Sequence, residues 1–411
     1  MVVRCVATLA LGLAAAGCGG ADERSESPSA RASGAVERVE REVGTRPPAD
    51  AERLAGLLAR RAAALQAGDA RGYAATAVGF QRVRDRVVAR RAARLPVRRV
   101  ELLVRRSRVR GDLARLRVVL VYRFRGVAAR FAGERTVRAR RTRSGWRVTA
   151  VAGRRARAPW EVAAFRTVRA PHVLLLAPPG LDVAPLAQDL AAAYRGMAAR
   201  LPGRRLPQRV LAVAAAGTGP ARRLTARIRG VRTLTAIADT AVEEEGPARA
   251  VARVVSQRLL VVVPAWAAMG FELRMRVLVH ELTHLALAGA TSGRVPSWLV
   301  EGLAMEASDD DRSAEAALRA ATGRAVPLTE LCGPAAIGRL NGDRQAAAYA
   351  TASAAAHRLA ADHGRRGLLR LYAAFGDERI RGRPGCRLTD RVLRRTLGTS
   401  LRRLDAALAS P

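Results

Sequence analysis

The sequence contains no lysine, and this absence decides how its strongly basic character is interpreted. All 72 basic residues are arginine, set against 35 acidic residues, for a formal net charge of +37. The arginines are spread along almost the whole chain, whereas nucleic-acid-binding surfaces gather basic residues into a stripe with aromatic side chains between them. A lysine-free, alanine-rich chain indicates a coding bias toward Arg and Ala. We therefore expect a general attraction to anionic surfaces and no specific nucleic-acid binding.

Aromatic residues are also scarce, at 4% of the chain, so the hydrophobic cores must be built mainly from Ala, Leu and Val. Hydrophobic residues make up 49% and charged residues 26%, fractions that are typical of a globular protein and exclude a disordered one. At 411 residues the chain is long enough for two domains, each with a core of its own.

Cysteine is rare as well, and the first two of the four cysteines belong to the N-terminus. Residues 1–4 are a short basic start, and residues 5–16 are an apolar run too short to span a membrane but typical of a signal peptide. The run ends in Ala15-Ala16-Gly17-Cys18, which resembles the lipobox of bacterial lipoproteins. The resemblance implies a signal peptide at residues 1–17, lipidation of Cys18 and a lipid anchor on the outer face of the cytoplasmic membrane. The alternative is a simple secretory signal with an incidental cysteine, and in both cases the protein is exported.

Export gives the other two cysteines, Cys332 and Cys386, an oxidising environment in which they can pair. Their small number and wide separation argue against a cysteine metal site. We expect either one disulfide in the C-terminal region or two free thiols.

Between the signal and the folded protein, residues 18–50 are polar and small and predict a flexible tether. Residues 51–158 predict a small α+β domain with a helical start over residues 51–65. Strand patterns follow at residues 100–104, 116–124, 127–131 and 146–151. A helical start and a meander ending in Gly145-Trp146-Arg147-Val148 resemble the nuclear-transport-factor-like cone fold. That resemblance implies an architecture and no activity.

Residues 159–411 predict the second domain. Short strands are expected at residues 173–176 and 210–213, with an amphipathic helix at residues 182–201 between them. Residues 258–263 have the branched apolar pattern of a buried strand. The sequence after Arg274 predicts helices and loops. Strands followed by helices indicate an α+β fold with a mainly helical C-terminal part.

The most informative stretch is the sequence His280-Glu281-Leu282-Thr283-His284, flanked by apolar residues. In a helix, His280 and His284 lie on one face and can both present a ring nitrogen to one ion. Glu281 lies about 100° around the helix, where its carboxylate can act on a water that zinc has made acidic. The chain has five histidines, so a chance occurrence of this arrangement is rare. The pattern predicts a zinc site with Glu281 as the catalytic base.

A catalytic zinc site needs a third protein ligand from a nearby segment. Glu301 stands in an apolar helix start after Pro296, where a carboxylate is costly unless it is paired or bound to metal. The following Gly302 would let this helix approach its neighbour closely. The alternatives are an ion pair between Glu301 and an arginine, or a ligand from the acidic run at residues 309–311, which reads better as a solvated loop.

These residues resemble the gluzincin metallopeptidases, in particular the bacterial peptidase MA-like family, over residues 250–405. The resemblance rests on the His-Glu-x-x-His helix followed by Trp298-x-x-Glu301-Gly302-x-Ala304. It implies a gluzincin-like fold with a mixed sheet, one zinc ion held by His280, His284 and Glu301, and a peptide or protein substrate. It also implies that the strand at residues 258–263 is an edge strand that pairs with an extended peptide.

The sequence differs from this family at two positions that follow Glu301. Met305 stands where thermolysin-like enzymes have an Asp that orients a histidine, and Glu306 stands where a Tyr is frequent. The groups that orient the histidines must therefore come from elsewhere.

Tyr349 occupies the place of a tyrosine that recurs in similar proteins, and it is the candidate donor to the oxyanion. The alternative is a tyrosine packed in the helix core. His357 and His363 are further candidates, and His172 is expected to be structural.

Three functions follow from these patterns. The first is an exported, lipid-anchored zinc metallopeptidase. The second is an envelope scaffold or binding lipoprotein with a vestigial or structural metal site. The third is an arginine-rich binder of nucleic acid or envelope polymers. The intact Glu281 favours the enzyme, since a structural site does not need it.

Overall fold

The computed structural model describes residues 2–3, 49–153, 156–225, 235–243, 253–377, 379–380 and 382–409. Most of the predicted signal peptide, Cys18 and nearly all of the predicted tether lie outside these described residues. Among the described helices none combines the length and the hydropathy that crossing a membrane requires.

The chain has an α+β fold with one antiparallel and one mixed sheet, followed by a helical part. The first strand, β1 (Val2–Val3), pairs with the far end of a strand in the mixed sheet, and a chain processed after residue 17 would lack this pairing. The N-terminal helices and the antiparallel sheet are α1 (Ala49–Gln66), α2 (Ala70–Ala75), α3 (Gly79–Ala93), β2 (Val97–Arg110), β3 (Leu113–Phe124), β4 (Arg130–Thr142) and β5 (Gly145–Ala152).

The antiparallel sheet has the order β2-β3-β4-β5. Its central strand β3 alternates arginine with apolar residues, and every second side chain from Ala114 to Phe124 is buried. Because successive side chains of a strand point to opposite faces, the sheet has one apolar face and one face rich in arginine. Much of the positive charge of this region is therefore exposed to solvent.

The mixed sheet has the order β1-β9-β10-β8-β7-β6, with β7, β8 and β10 parallel to one another and the other pairs antiparallel. The strands β7 and β8 are buried along their whole length, as strands covered on both faces are. Its elements are α4 (Pro159–Val162), β6 (Arg166–Ala170), β7 (Val173–Ala177), α5 (Ala184–Arg200), β8 (Val210–Ala215), α6 (Thr218–Leu224), β9 (Ala236–Glu243) and β10 (Arg253–Val262).

The described chain after β10 is helical, as the sequence predicts. The helices are α7 (Val263–Ala267), α8 (Phe271–Leu287), α9 (Ser297–Ala307), α10 (Ser313–Ala321), α11 (Gly342–Ala374), α12 (Cys386–Leu397) and α13 (Leu401–Ala409). The helix α11 bends at Gly364, whose φ of 69° is not helical. Cys332 and Cys386 form a disulfide with a Cα–Cα distance of 5.1 Å, which joins a loop before α11 to the start of α12.

A hydrophobic core is continuous across residue 158, the predicted domain boundary. Tyr122 and Phe131 of the antiparallel sheet pack in one cluster with Trp160, Leu176 and Leu260 of the following segment. The opposite face of the mixed sheet forms a second core with α5, α8, α9 and α11. The two sheets therefore share a core, and the N-terminal part is packed against the back of the sheet whose front carries α8.

Two sequence expectations about strands are wrong. Residues 127–129 are a loop that follows the turn at Arg125 and Gly126 (φ 80°), and β4 begins only at Arg130. Of the strand predicted at residues 258–263, residues 258–262 belong to β10, which lies between β8 and β9 and is not an edge strand. Its backbone groups pair on both sides, so they cannot accept a peptide strand.

Candidate metal centre

The three predicted ligands lie together at the junction of two helices. His280 and His284 stand one turn apart on α8, and Glu301 stands in the first half of α9. All three are buried, with 1%, 9% and 6% of their surface exposed. The burial follows from the apolar residues around both motifs, which pack α8 and α9 into the front core of the mixed sheet.

The ligand atoms of the three residues converge on one point. The two imidazole Nε2 atoms are 3.0 Å apart, and Glu301 Oε2 lies 3.4 Å from His280 Nε2 and 3.5 Å from His284 Nε2. A tetrahedral zinc with ligand bonds of 2.0–2.1 Å keeps its ligand atoms roughly 3.3 Å apart. These donor types and separations fit a zinc ion held by three protein atoms.

The polar atoms of this cluster are not satisfied by the protein. Among the described residues Glu301 Oε2 has no hydrogen-bond partner, and neither has His280 Nδ1. A buried carboxylate oxygen without a donor is costly, and a bound cation removes that cost. His280 Nδ1 also lacks the acceptor that usually orients a ligand histidine, in agreement with Met305 at the place of the family's Asp.

The electrostatics of the cluster favour an ionised Glu301. Burial raises the pKa of this carboxyl, but the neighbouring imidazoles of His284 and His280 overcome that effect and lower the pKa to about 2. Burial lowers the pKa of His280, whereas the nearby carboxylates of Glu301 and Glu281 raise it, and the net shift is upward. An anionic Glu301 facing two imidazoles is the charge state that a divalent metal needs.

Glu301 is positioned by contacts at both ends of its own motif. At the start of α9, Ser297 donates its backbone amide to Gly333 O and its hydroxyl to Leu331 O. Next to the ligand, Gly302 lies against α11, where an added Cβ would overlap the carbonyl oxygen of Ala352. The close helix approach that Gly302 predicts is therefore present, and α11 is the neighbour.

The acidic residues that are the alternatives to Glu301 are engaged by other partners. Asp309 forms an ion pair with Arg200, Asp310 pairs with Arg312, and Asp311 accepts from the backbone and hydroxyl of Ser313. Glu301 itself forms ion pairs with the two histidines and with no arginine among the described residues.

Glu281 is fully buried beside the three ligands. Its Oε2 accepts a hydrogen bond of 2.6 Å from the backbone amide of Ala238 on β9, and its Oε1 has no partner among the described residues. Burial raises the pKa of this carboxyl, although the two histidines act in the opposite direction. The Ala238 donor cannot be predicted from the sequence, because a backbone amide leaves no signature in the amino-acid sequence.

The other predicted residues stand on elements other than α8 and α9. Tyr349 is buried on α11, the helix that packs on α9, and its role as a donor stays a prediction. His357 Nδ1 contacts the backbone oxygen of Ser353 one turn earlier on α11. His172 is exposed and stacks on Tyr194 at 4.5 Å.

Comparisons with known proteins add little to this geometry. No family model and no curated protein match the chain. A solved structure of a protein of unknown function from Mycobacterium tuberculosis is similar to part of it, with 22% sequence identity over 26% of this chain and 76% of that chain. The TM-score is 0.22, and a value this low supports no statement about fold or activity.

Proposed function

We propose that the protein is a zinc metallopeptidase that hydrolyses peptide bonds, with His280, His284 and Glu301 as the metal ligands. The observation that carries the proposal is the convergence of three buried ligand atoms, 3.0–3.5 Å apart, beside the buried carboxylate of Glu281. When bound, zinc supplies a Lewis acid that polarises a carbonyl group and makes a water more acidic.

Glu281 is the general base of this proposal. Oε2 of Glu281 already accepts a hydrogen bond from the Ala238 amide, so Oε1 is the oxygen that remains to accept a proton from water. The raised pKa brings the carboxyl closer to neutral pH, where a base accepts and returns a proton efficiently. The peptide nature of the substrate rests on the resemblance to the gluzincins.

A second candidate, a binding or scaffold lipoprotein with a structural metal site, is favoured by one observation. Glu281 is completely buried and hydrogen-bonded to β9, and a carboxylate in that position also helps to hold α8 on the sheet. Under this candidate the protein binds zinc but cleaves no peptide.

Hydrolysis of a denatured-protein or peptide library by the zinc-loaded protein separates the two candidates. Glu281→Gln should reduce the rate by at least about 10²-fold, because the amide cannot accept the proton. Glu272→Gln, an exposed carboxylate in the first turn of the same helix, is the matched control and should keep the rate. A Glu281→Gln variant as active as the wild type would refute the proposed mechanism.

We also propose that the protein is exported and anchored by a lipid on Cys18. The support is the signal-like sequence at residues 1–17 and the small residues before Cys18. Cys18→Ala should move the protein from the membrane fraction to the soluble exported fraction. Unchanged membrane association of the variant would contradict the lipid anchor.

A further inference from the structure

A small cavity opens beside the metal ligands, on the side of His280. Its volume is about 90 Å³, and its apolar wall is formed by Leu273 and Val277 of α8. Besides His280, its polar wall consists of Arg276 on α8 and of Ser308, Asp310 and Arg312 in the segment after α9. A group bound in this cavity would therefore lie beside His280 and near two guanidinium groups.

The charges of this wall do not cancel. Arg312 donates to both carboxylate oxygens of Asp310, at 3.3 and 3.0 Å, so these two residues neutralise each other. Arg276 is exposed and forms no ion pair among the described residues, including with Glu272 one turn before it. One positive charge is therefore left in the cavity wall without a partner.

Helix geometry places this charge close to the metal ligands. Arg276, His280 and His284 are spaced four residues apart on α8, so they form one stripe on one face of the helix. Neighbours in such a stripe have Cβ atoms about 5–6 Å apart. An arginine in this position can form paired hydrogen bonds with a carboxylate of a molecule bound at the metal.

The structure also argues against recognition of a substrate amine. The acidic residues near the site are already engaged: Asp309 pairs with Arg200 and Glu306 pairs with Arg365. Asp311 accepts two hydrogen bonds from Ser313. No described carboxylate in the cavity wall is left to bind an ammonium group, whereas Arg276 is left to bind an anion.

We propose that this cavity is a subsite for a carboxylate of the substrate, with Arg276 as the residue that binds it. The inference rests on the proposed function, since it places the carboxylate beside the bond that is cleaved. Two sources supply this chemistry, the free C-terminus of a peptide and an acidic side chain next to the scissile bond.

Binding of a dicarboxylate tests the subsite without relying on hydrolysis. Calorimetry with the zinc-loaded full chain compares succinate, with one carboxylate for the metal and one for Arg276, with its monoamide succinamate. Wild type should bind succinate about tenfold more tightly. The preference should disappear in Arg276→Gln and persist in Arg82→Gln, which removes an exposed arginine of α3 far from the cavity in sequence.

Peptide substrates then identify the source of the carboxylate. A fall in kcat/KM on C-terminal amidation, present in wild type and absent in Arg276→Gln, identifies the terminal carboxylate. A fall on replacing Glu or Asp by Gln or Asn at a position next to the scissile bond identifies a side chain. If wild type cleaves peptides through Glu281 but neither change depends on Arg276, the subsite is refuted and the proposed function stands. If the chain binds no zinc, both are refuted.

Discussion

The carboxylate of Glu281 on α8 accepts a 2.6 Å hydrogen bond from the backbone amide of Ala238 on β9. Thr235, directly before β9, accepts a hydrogen bond from the backbone amide of Val262 of β10, so the backbone groups of Ile237 and Asp239 also point toward β10. The backbone amide of Ala238 therefore points to the other side of β9, away from β10. The proposed base thus accepts a hydrogen bond from the side of β9 that faces away from β10, and this bond ties the position of α8 to that of β9.

This hydrogen bond predicts different stabilities for two substitutions of Glu281. Glu281→Gln keeps an oxygen for the Ala238 amide and removes a buried charge, so it should leave the metal-free protein as stable as wild type or more stable. Glu281→Ala leaves the buried amide without an acceptor and should cost about 1–3 kcal/mol. Urea denaturation of the metal-free proteins measures both differences. Equal stability of the two variants would show that the amide does not depend on the carboxylate.

The same pair predicts a pH dependence. Because burial raises the pKa of Glu281 above its ordinary value of 4.5, the folded state favours the protonated carboxyl. The stability that this protonation contributes is complete below pH 4.5 and is lost as the pH rises through the folded pKa. Metal-free wild type should therefore lose stability relative to Glu281→Gln as the pH rises. A constant difference between the two proteins from pH 4 to pH 8 would contradict the raised pKa.

The contact of α9 with α11 predicts that Gly302→Ala is destabilising. The new methyl group would overlap the Ala352 carbonyl and lie 2.9 Å from the Ala356 methyl group, so one helix must move. We expect a loss of about 1–3 kcal/mol and a weaker affinity for zinc, since the adjacent Glu301 moves with α9. Gly289→Ala, where an added Cβ meets open space, is the control and should change neither quantity. A Gly302→Ala variant with wild-type zinc affinity would show that the contact does not position Glu301.

The disulfide should stabilise both the fold and the start of α9. It closes a sequence separation of 54 residues, which corresponds to about 4 kcal/mol of unfolded-state entropy. Leu331 and Gly333, on either side of Cys332, hold Ser297 at the start of α9. The double variant Cys332→Ala/Cys386→Ala should therefore unfold at lower urea concentration and bind zinc less tightly. Unchanged stability and zinc affinity would mean that the bridge is dispensable.

The two histidines and the glutamate on α8 are the part of the site that is most easily predicted from the sequence. His280, Glu281 and His284 are predictable because a single helix determines their mutual positions, and Glu301 is predictable because a buried carboxylate needs a partner. The Ala238 amide is not predictable, because it depends on how β9 pairs with β10 and on how α8 crosses the sheet.

The sequence predicts best those strands that have a clear apolar pattern. β3, β7 and β8 are rich in Leu and Val, and the sequence identifies them. β9 has the sequence Ala-Ile-Ala-Asp-Thr-Ala-Val-Glu, in which small and polar residues hide the alternation, so the sequence does not predict this strand. The placement of residues 258–263 at the edge of the sheet comes from the resemblance to the gluzincins, and it is wrong because β9 pairs with β10 on that side. The apolar pattern of those residues correctly indicated a buried strand.

The central claim is tested most directly by the metal content of the purified protein. Elemental analysis of the wild type should find about one zinc per chain, and His280→Ala should lower the zinc affinity by more than about 100-fold. The control His363→Ala, on α11 and outside the ligand cluster, should keep the metal. A wild-type protein without zinc, or a His280→Ala variant that retains it fully, would contradict the account.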